Sequence, residues 1–356
     1  MTDYPVTLRS YDQLIEDFAG TSPNSQKMMN LIFSLFNSQS DTTTFTAEAF
    51  GAKGDAIQLA DGVILTDTKT KLSSASANFT QADVGKYIMI GGAGSSRQHA
   101  TTIASVEDDH NITLATTAIT AVAAASFFYG TSDDVAVQRG LDAASAVHGT
   151  LVLSANKTYL IVGLDQTVPP LRYKDNTTLI IRGDILHANG NAGGVVLSDQ
   201  YFRVDGSAYT HNFILRFEGG KIIFPDAWTS DANSYAKKGF TISCTDGFEV
   251  WAPRLEGNNI SSFVTQVLRS KNGTWTGGRI DAGNSVGEDG IHLLGNCSDI
   301  TFTNMVVESA DDAFSATAET TAGAGGTGQG DSTIERIVVS NSILTVNGFS
   351  GIKILT

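Results

Sequence analysis

The chain has 356 residues, 41% hydrophobic and only 17% charged, with 36 Gly, 6 Pro and a formal net charge of −14. That hydrophobic share excludes wholesale disorder, and the acidic balance excludes a nucleic-acid binder, which needs clustered Lys and Arg. Few charges and many glycines favour short strands joined by turns over a charge-laced helical bundle.

Residues 1–44 read as a helical leader. Met1 to Pro5 lack the basic and apolar regions of a secretory signal. Tyr11, Leu14, Ile15 and Phe18 share a helix face, and Ser22-Pro23 starts a second helix. There Met28, Leu31, Ile32, Leu35 and Phe36 form an apolar stripe that Met29 and Phe33 widen. A helix apolar on more than one face must bury against more than one surface, so the leader is expected to dock or self-associate.

Residues 45–149 follow as the opening of a β domain with an insert at 61–128. Phe50-Gly51-Ala52-Lys53-Gly54-Asp55 is turn-rich. Asp133-Asp134 reads as an N-cap pair for a helix with Val137, Leu141 and Ala144 on one face, ended by His148-Gly149. The insert carries alternating strands such as Tyr87–Ile90 and Thr101–Ile103, which predicts a small β module. No window reaches the roughly 18 apolar residues of a membrane span. Cys244 and Cys297 are too few for a disulfide framework and read as buried free thiols.

From 150 to 356 strand-like pieces recur in register. Trp275 in Thr-Trp-Thr aligns with Phe302 in Thr-Phe-Thr (27 residues on), and Phe302 with Val339 (37 on). A second series runs Asp289-Gly290-Ile291, Asp312-Ala313-Phe314 and Ser350-Gly351-Ile352, with steps of 23 and 38. The run Thr320 to Gly330 accounts for the longer step as a protruding loop. Repeats of this length, holding two or three strands each, predict a parallel β-solenoid with rungs ~4.8 Å apart. Trp275, Phe302 and Val339 would then form one interior column, while Asn304 and Asn341 share a turn with stacked amides. A β-sandwich gives no reason for the period. The sequence stops inside the apolar strand at Lys353 to Thr356, so more coils are expected beyond it.

Stacked this way, Asp289 and Asp312 fall at equivalent places one rung apart, with Asp311 and Glu288 beside them. Carboxylates that close cannot all ionise freely, so at least one pKa is expected to rise. His292 alternates with Ile291 and Leu293 and is expected to face outward. No Asp-rich loop has cation-ligand spacing, so neither a metal nor a cofactor is expected. Trp228, Trp251 and Phe349 are aromatic enough to stack on sugars, yet core packing is the expected role of each.

These residues carry a family likeness. FGAKGD, TSDDVAVQRGLDAA and GTLVLSANKTYLIVG resemble the opening of pectate-lyase-like right-handed β-helix proteins, in which the helix caps the first coil. The insert, QADVGKYIMIGGAG followed by TTIASVEDDHNITLA, resembles a module found at this place in phage tailspikes. GEDGIHLLGNCSDITFTNMVVESADDAFS resembles polygalacturonase-type glycoside hydrolases, with an Asn-x-Asp and an Asp-Asp segment one coil apart. Asp289, Asp311 and Asp312 match the three acids, and Gly287 replaces the Asn. No His follows in 313–356 where the family has Gly-His-Gly. Lys353 takes the place of the Arg in Arg-Ile-Lys, and Leu355 that of the Lys.

The resemblance implies an all-β chain: a right-handed parallel β-helix with a short α-helical leader, an inserted β module and a capping helix. It implies a homotrimeric phage tailspike or tail-fibre subunit on the virion, docked by its leader on a tail or baseplate protein and binding a bacterial surface polysaccharide. Glycan cleavage would use Asp311 as general acid, with Asp289 and Asp312 holding the attacking water. Glu288, His292 and Lys353 would contact substrate. Inversion is expected if acid and base stand about 6.5–9.5 Å apart. The competing readings are a non-catalytic adhesin or structural fibre on the same fold, a lyase, and a bacterial polysaccharide hydrolase.

Overall fold

The computed structural model describes residues 43–95, 98–163, 171–188, 195–199, 208–225, 239–257, 264–282, 289–318 and 333–355. The chain divides into two compact units, 1–42 and 43–356. The expected leader helices fall in the first and lie outside the described residues, as does the loop expected at 320–330. Thr44 already belongs to a strand, Thr44–Thr46, of the second unit.

The recurrences in the sequence become three parallel sheets. Each coil gives one strand in turn to sheet I (Thr150–Leu153 to Ile334–Ser340), sheet II (Thr158–Ile161 to Ile343–Val346) and sheet III (Leu171–Tyr173 to Ile352–Leu355). Among the described residues sheets II and III have seven strands and sheet I eight, the extra one being Thr44–Thr46 on Thr150–Val152. The result is a right-handed parallel β-helix, the hand that parallel crossovers almost always take. A sandwich of antiparallel sheets is excluded.

The register holds to the residue. Trp275 pairs with Phe302 and Phe302 with Val339. Ile291 pairs with Phe314 and Phe314 with Ile352. Trp275 and Phe302 are fully buried with ring centroids 5.7 Å apart, Phe240 lies 5.3 Å from Trp275, and Val339 packs on the same core partly buried. Sheet I keeps period 2: Leu215, Val250, Trp275 and Phe302 point in, and Arg216, Trp251, Thr276 and Thr303 point out. Sheet III does not. Its strands Phe240–Ser243, Thr265–Leu268, Ile291–Leu294 and Phe314–Thr317 are buried at every position.

The corners need left-handed backbone. Between sheets I and II the column Ala252, Gly277, Asn304, Asn341 has φ of 46°, 71°, 59° and 49°. Asn304 and Asn341 thus share a turn as expected, and Asn suits it because its short side chain tolerates this conformation. An amide ladder forms elsewhere: Asn212 donates to Asn176 at 2.9 Å, in the left-handed column that precedes each straight run of sheet I.

Helix α1 (Asp134–Ala146) buries Val137, Leu141 and Ala144 against the first coil. It closes with the paired bonds of a Schellman turn: His148 N–H to the Ser145 carbonyl at 3.2 Å, and Gly149 N–H to that of Ala144 at 2.7 Å. His148 is left-handed there, and a Cβ on Gly149 would stand 2.3 Å from the Thr43 carbonyl oxygen. The aspartates at the other end do not cap as expected. Asp133 accepts backbone N–H bonds from Lys53 (2.6 Å), Gly54 (3.2 Å) and Leu160 (3.2 Å), and Asp134 from Val162 (3.2 Å) and Gly163 (3.0 Å). They tie the Gly-rich opening turn to the first coil.

Between them, six antiparallel strands from Ile57–Ile64 to Val122–Gly130 close into a barrel. Its own core includes Leu72, Ile88, Ile90, Ile103, Ile112, Phe127 and Tyr129. Cys244 and Cys297 are buried and form no disulfide. Among the described residues no helix is long and apolar enough to cross a membrane.

Candidate active site

The acids gather where the chain turns from sheet II into sheet III. Asp289 precedes Ile291–Leu294, and Asp311-Asp312 precede Phe314–Thr317. Because Ile291 lies over Phe314, Asp289 lies over Asp312. Backbone bonds lock the three rungs: Gly290 N–H to the Asp312 carbonyl at 2.9 Å, and Ala313 N–H to that of Ser350 at 3.1 Å. Gly290 permits the close approach, since a Cβ there would meet Val307 Cγ1 at 2.2 Å and the Ala313 carbonyl oxygen at 2.7 Å. One oxygen from each of Asp289, Asp311 and Asp312 lies within 4.8 Å of the other two.

Each buried acid has a basic partner. Asp289 Oδ2 is 2.6 Å from His292 Nδ1, and both residues are almost fully buried. Asp312 is 1% exposed; its Oδ1 accepts the Ser350 N–H at 3.1 Å, and its Oδ2 lies 2.8 Å from Lys353 Nζ. Asp311 is half-buried, and its backbone N–H donates to Ser309 Oγ at 3.1 Å. The bond to Asp312 holds the Lys353 ammonium above the ordinary lysine value against the opposing effect of burial, and the charges of Asp311 and Asp289 add to it. The cluster therefore opens to solvent through Asp311 and Lys353, whose side chain is 37% exposed.

Of the sequence-derived candidates, Asp289, Asp311, Asp312, His292 and Lys353 come together. Glu288 lies outside the described residues. His292 does stand on the outer face of its strand, between Gln266 and Ser315 of neighbouring rungs, but it is buried and turned onto Asp289. Ser350 is a further contributor, legible in hindsight because it ends the Asp289, Asp312, Ser350 series. Trp251 and Phe349 are exposed, against their expected core role; Trp228 lies outside the described residues. Three carboxylates could offer oxygens to a hard cation, though an ammonium already stands on Asp312 Oδ2.

No family model matches the sequence. No curated protein matches it either. Solved structures do. The chain is similar to phage tailspikes. A tailspike variant of E. coli bacteriophage HK620 shares 14% identity over 64% of this chain and 44% of its own, with a TM-score of 0.47. Another HK620 variant, in complex with a pentasaccharide, shares 13% over 63% and 43%, with a TM-score of 0.45. The ORF18 protein of Geobacillus virus E2 shares 12% over 52% and 35%, with a TM-score of 0.39. This chain thus spans less than half the length of each. The strand register, not these likenesses, establishes the β-helix.

Proposed function

We propose that the protein is a tailspike-like subunit that binds a bacterial surface polysaccharide and hydrolyses it at Asp289, Asp311 and Asp312. The reading rests on one observation: acids from two coils, 22 and 23 residues apart in the chain (289 to 311 and 312), meet within 4.8 Å at the corner of sheets II and III. Asp311, the most accessible of the three, is the general acid and gives its proton to the leaving glycosidic oxygen. Asp289, oriented by His292, takes a proton from the attacking water, whose oxygen bonds to the anomeric carbon. Asp312, fixed by Ser350 and Lys353, holds that water, and the Lys353 ammonium faces substrate. Residues 1–44 dock the subunit, as a homotrimer, on a tail or baseplate protein of the virion.

Oxygens within 4.8 Å of one another also suit a second course for the same cleavage, direct attack by a carboxylate with retention of configuration. The test is incubation with purified capsular and O-antigen polysaccharides, following new reducing ends. Asp311→Asn should abolish release without changing the melting temperature or the oligomer. Undiminished release in that variant refutes the assignment; binding without release by the unaltered protein makes it an adhesin. Proton NMR of the first product distinguishes the two courses by its anomeric configuration.

A further inference from the structure

The outer face of sheet I carries a large aromatic side chain that the core does not use. Trp251 is 40% exposed. Its indole N–H donates to Glu249 Oε2 at 2.8 Å, two residues back on the same face. Arg216, the register partner of Trp251 on the preceding rung, places its guanidinium carbon 5.7 Å from the ring centroid. Glu249 and Arg216 stand 3.9 Å apart, a looser contact than either needs for an ion pair, and Arg216 Nε is buried with no hydrogen-bond partner. The cluster is organised about the ring.

On the following rungs the same column holds Thr276, Thr303 and Ser340, and the column beside it holds Thr274, Thr301 and Val338. All are short, and all but Val338 carry hydroxyls. The indole therefore stands as a wall at the end of a low, flat, hydroxyl-lined floor. This face is separate from the carboxylates, which sit at the corner of sheets II and III.

We propose that Trp251, with Glu249 and Arg216, forms a second glycan-binding subsite that stacks the C–H face of a β-linked hexopyranose on the indole. A pyranose has an apolar face and a rim of hydroxyls. An aromatic plane flanked by an acceptor and a donor matches both, and Glu249 and Arg216 keep lone pairs and N–H groups beyond those they use on the ring. The ring is already clamped, so little freedom is lost on binding. Rungs ~4.8 Å apart let an extended glycan advance by about one sugar per rung over the threonines. The ligand class rests on the polysaccharide reading above; the location does not.

The test uses protein labelled with 5-fluorotryptophan, whose three indoles give three fluorine signals, each assigned by a Trp→Phe variant. Cellohexaose and chitohexaose at millimolar concentration are the probes. The Trp251 signal should shift saturably with at least one probe while that of buried Trp275 stays put. By isothermal titration calorimetry with the same probes, Trp251→Ala should weaken binding at least about tenfold, and Trp251→Phe much less. Asp311→Asn should leave the Trp251 shift intact even where it ends oligosaccharide release, so the two sites fail separately. No shift with either probe, or undiminished binding by Trp251→Ala, overturns the proposal. A loss of oligomer mass in Trp251→Ala by light scattering also overturns it, by assigning the face to contact between copies of the chain.

Discussion

Sheets I and III are wound from the same coils yet obey different rules. In sheet I one face meets water, so Thr-Trp-Thr and Thr-Phe-Thr alternate, and the repeat is visible in the sequence. In the inner strands of sheet III both faces are buried, so Thr-Gln-Val-Leu, Ile-His-Leu-Leu and Phe-Ser-Ala-Thr show no alternation. Leu197, Leu268 and Leu294 even form a small apolar cluster apart from the main core. Burial on both sides also changes what a polar group must do. An outward Thr of sheet I bonds to water, whereas an outward His or Asp at the edge of sheet III must find a partner in the protein. The pairs His292–Asp289 and Lys353–Asp312 follow from that requirement.

The sharpest way to break this comparison is to exchange inward and outward positions of sheet I. Trp275→Ala removes the centre of the Phe240–Trp275–Phe302 stack and should cost about 3–5 kcal/mol in denaturant unfolding. Thr301→Ala, one rung on and facing out, should stay within about 0.5 kcal/mol. Equal losses would mean that the wet face carries structure after all. In sheet III the outward side should not be so forgiving. Asp289→Ala leaves His292 Nδ1 buried without its acceptor and should cost about 1–3 kcal/mol; a loss no larger than that of Thr301→Ala would erase the distinction.

The smallest effect is one of pH. The folded protein holds the Lys353 proton more tightly than an unfolded chain with the ordinary value of 10.5. The stabilisation is therefore complete below that value and disappears as pH rises through the higher folded one. Melting temperatures between pH 9 and 12 should fall more for the unaltered protein than for Lys353→Met. Parallel curves would show that the pair contributes nothing.

The coil stack was legible because Trp275, Phe302 and Val339 sit on the alternating sheet, and the acid series because Asp289 and Asp312 hold the same place beside a small residue. What escaped was set by distant partners. Asp133 looks like a helix cap locally, but the backbone N–H groups of Lys53, Gly54 and Leu160 claim it from across the chain. His292 gave no local sign that it would turn onto Asp289. Trp251 looked like core because period 2 was not carried through from Val250, whose inward place fixes Trp251 outward. Left-handed Asn and Gly at several corners were present in the sequence and would have placed those bends, whereas Cys244, Ala252, Arg269 and Arg336 are left-handed with no such sign.

The closed barrel has a consequence for how this molecule can be altered. Its first and last strands pair with each other, Ile57 against Tyr129, and just outside them Asp55 accepts the Thr131 N–H at 2.8 Å. Asp55 and Ser132 both bridge to one strand of the helix, at Thr158 and Leu160. To the host scaffold the insertion is a hairpin whose two ends already touch, yet it is not a free cassette: Met89 and Phe128 on its strands are buried in the core of the β-helix, so a substitute needs an apolar face as well as neighbouring termini.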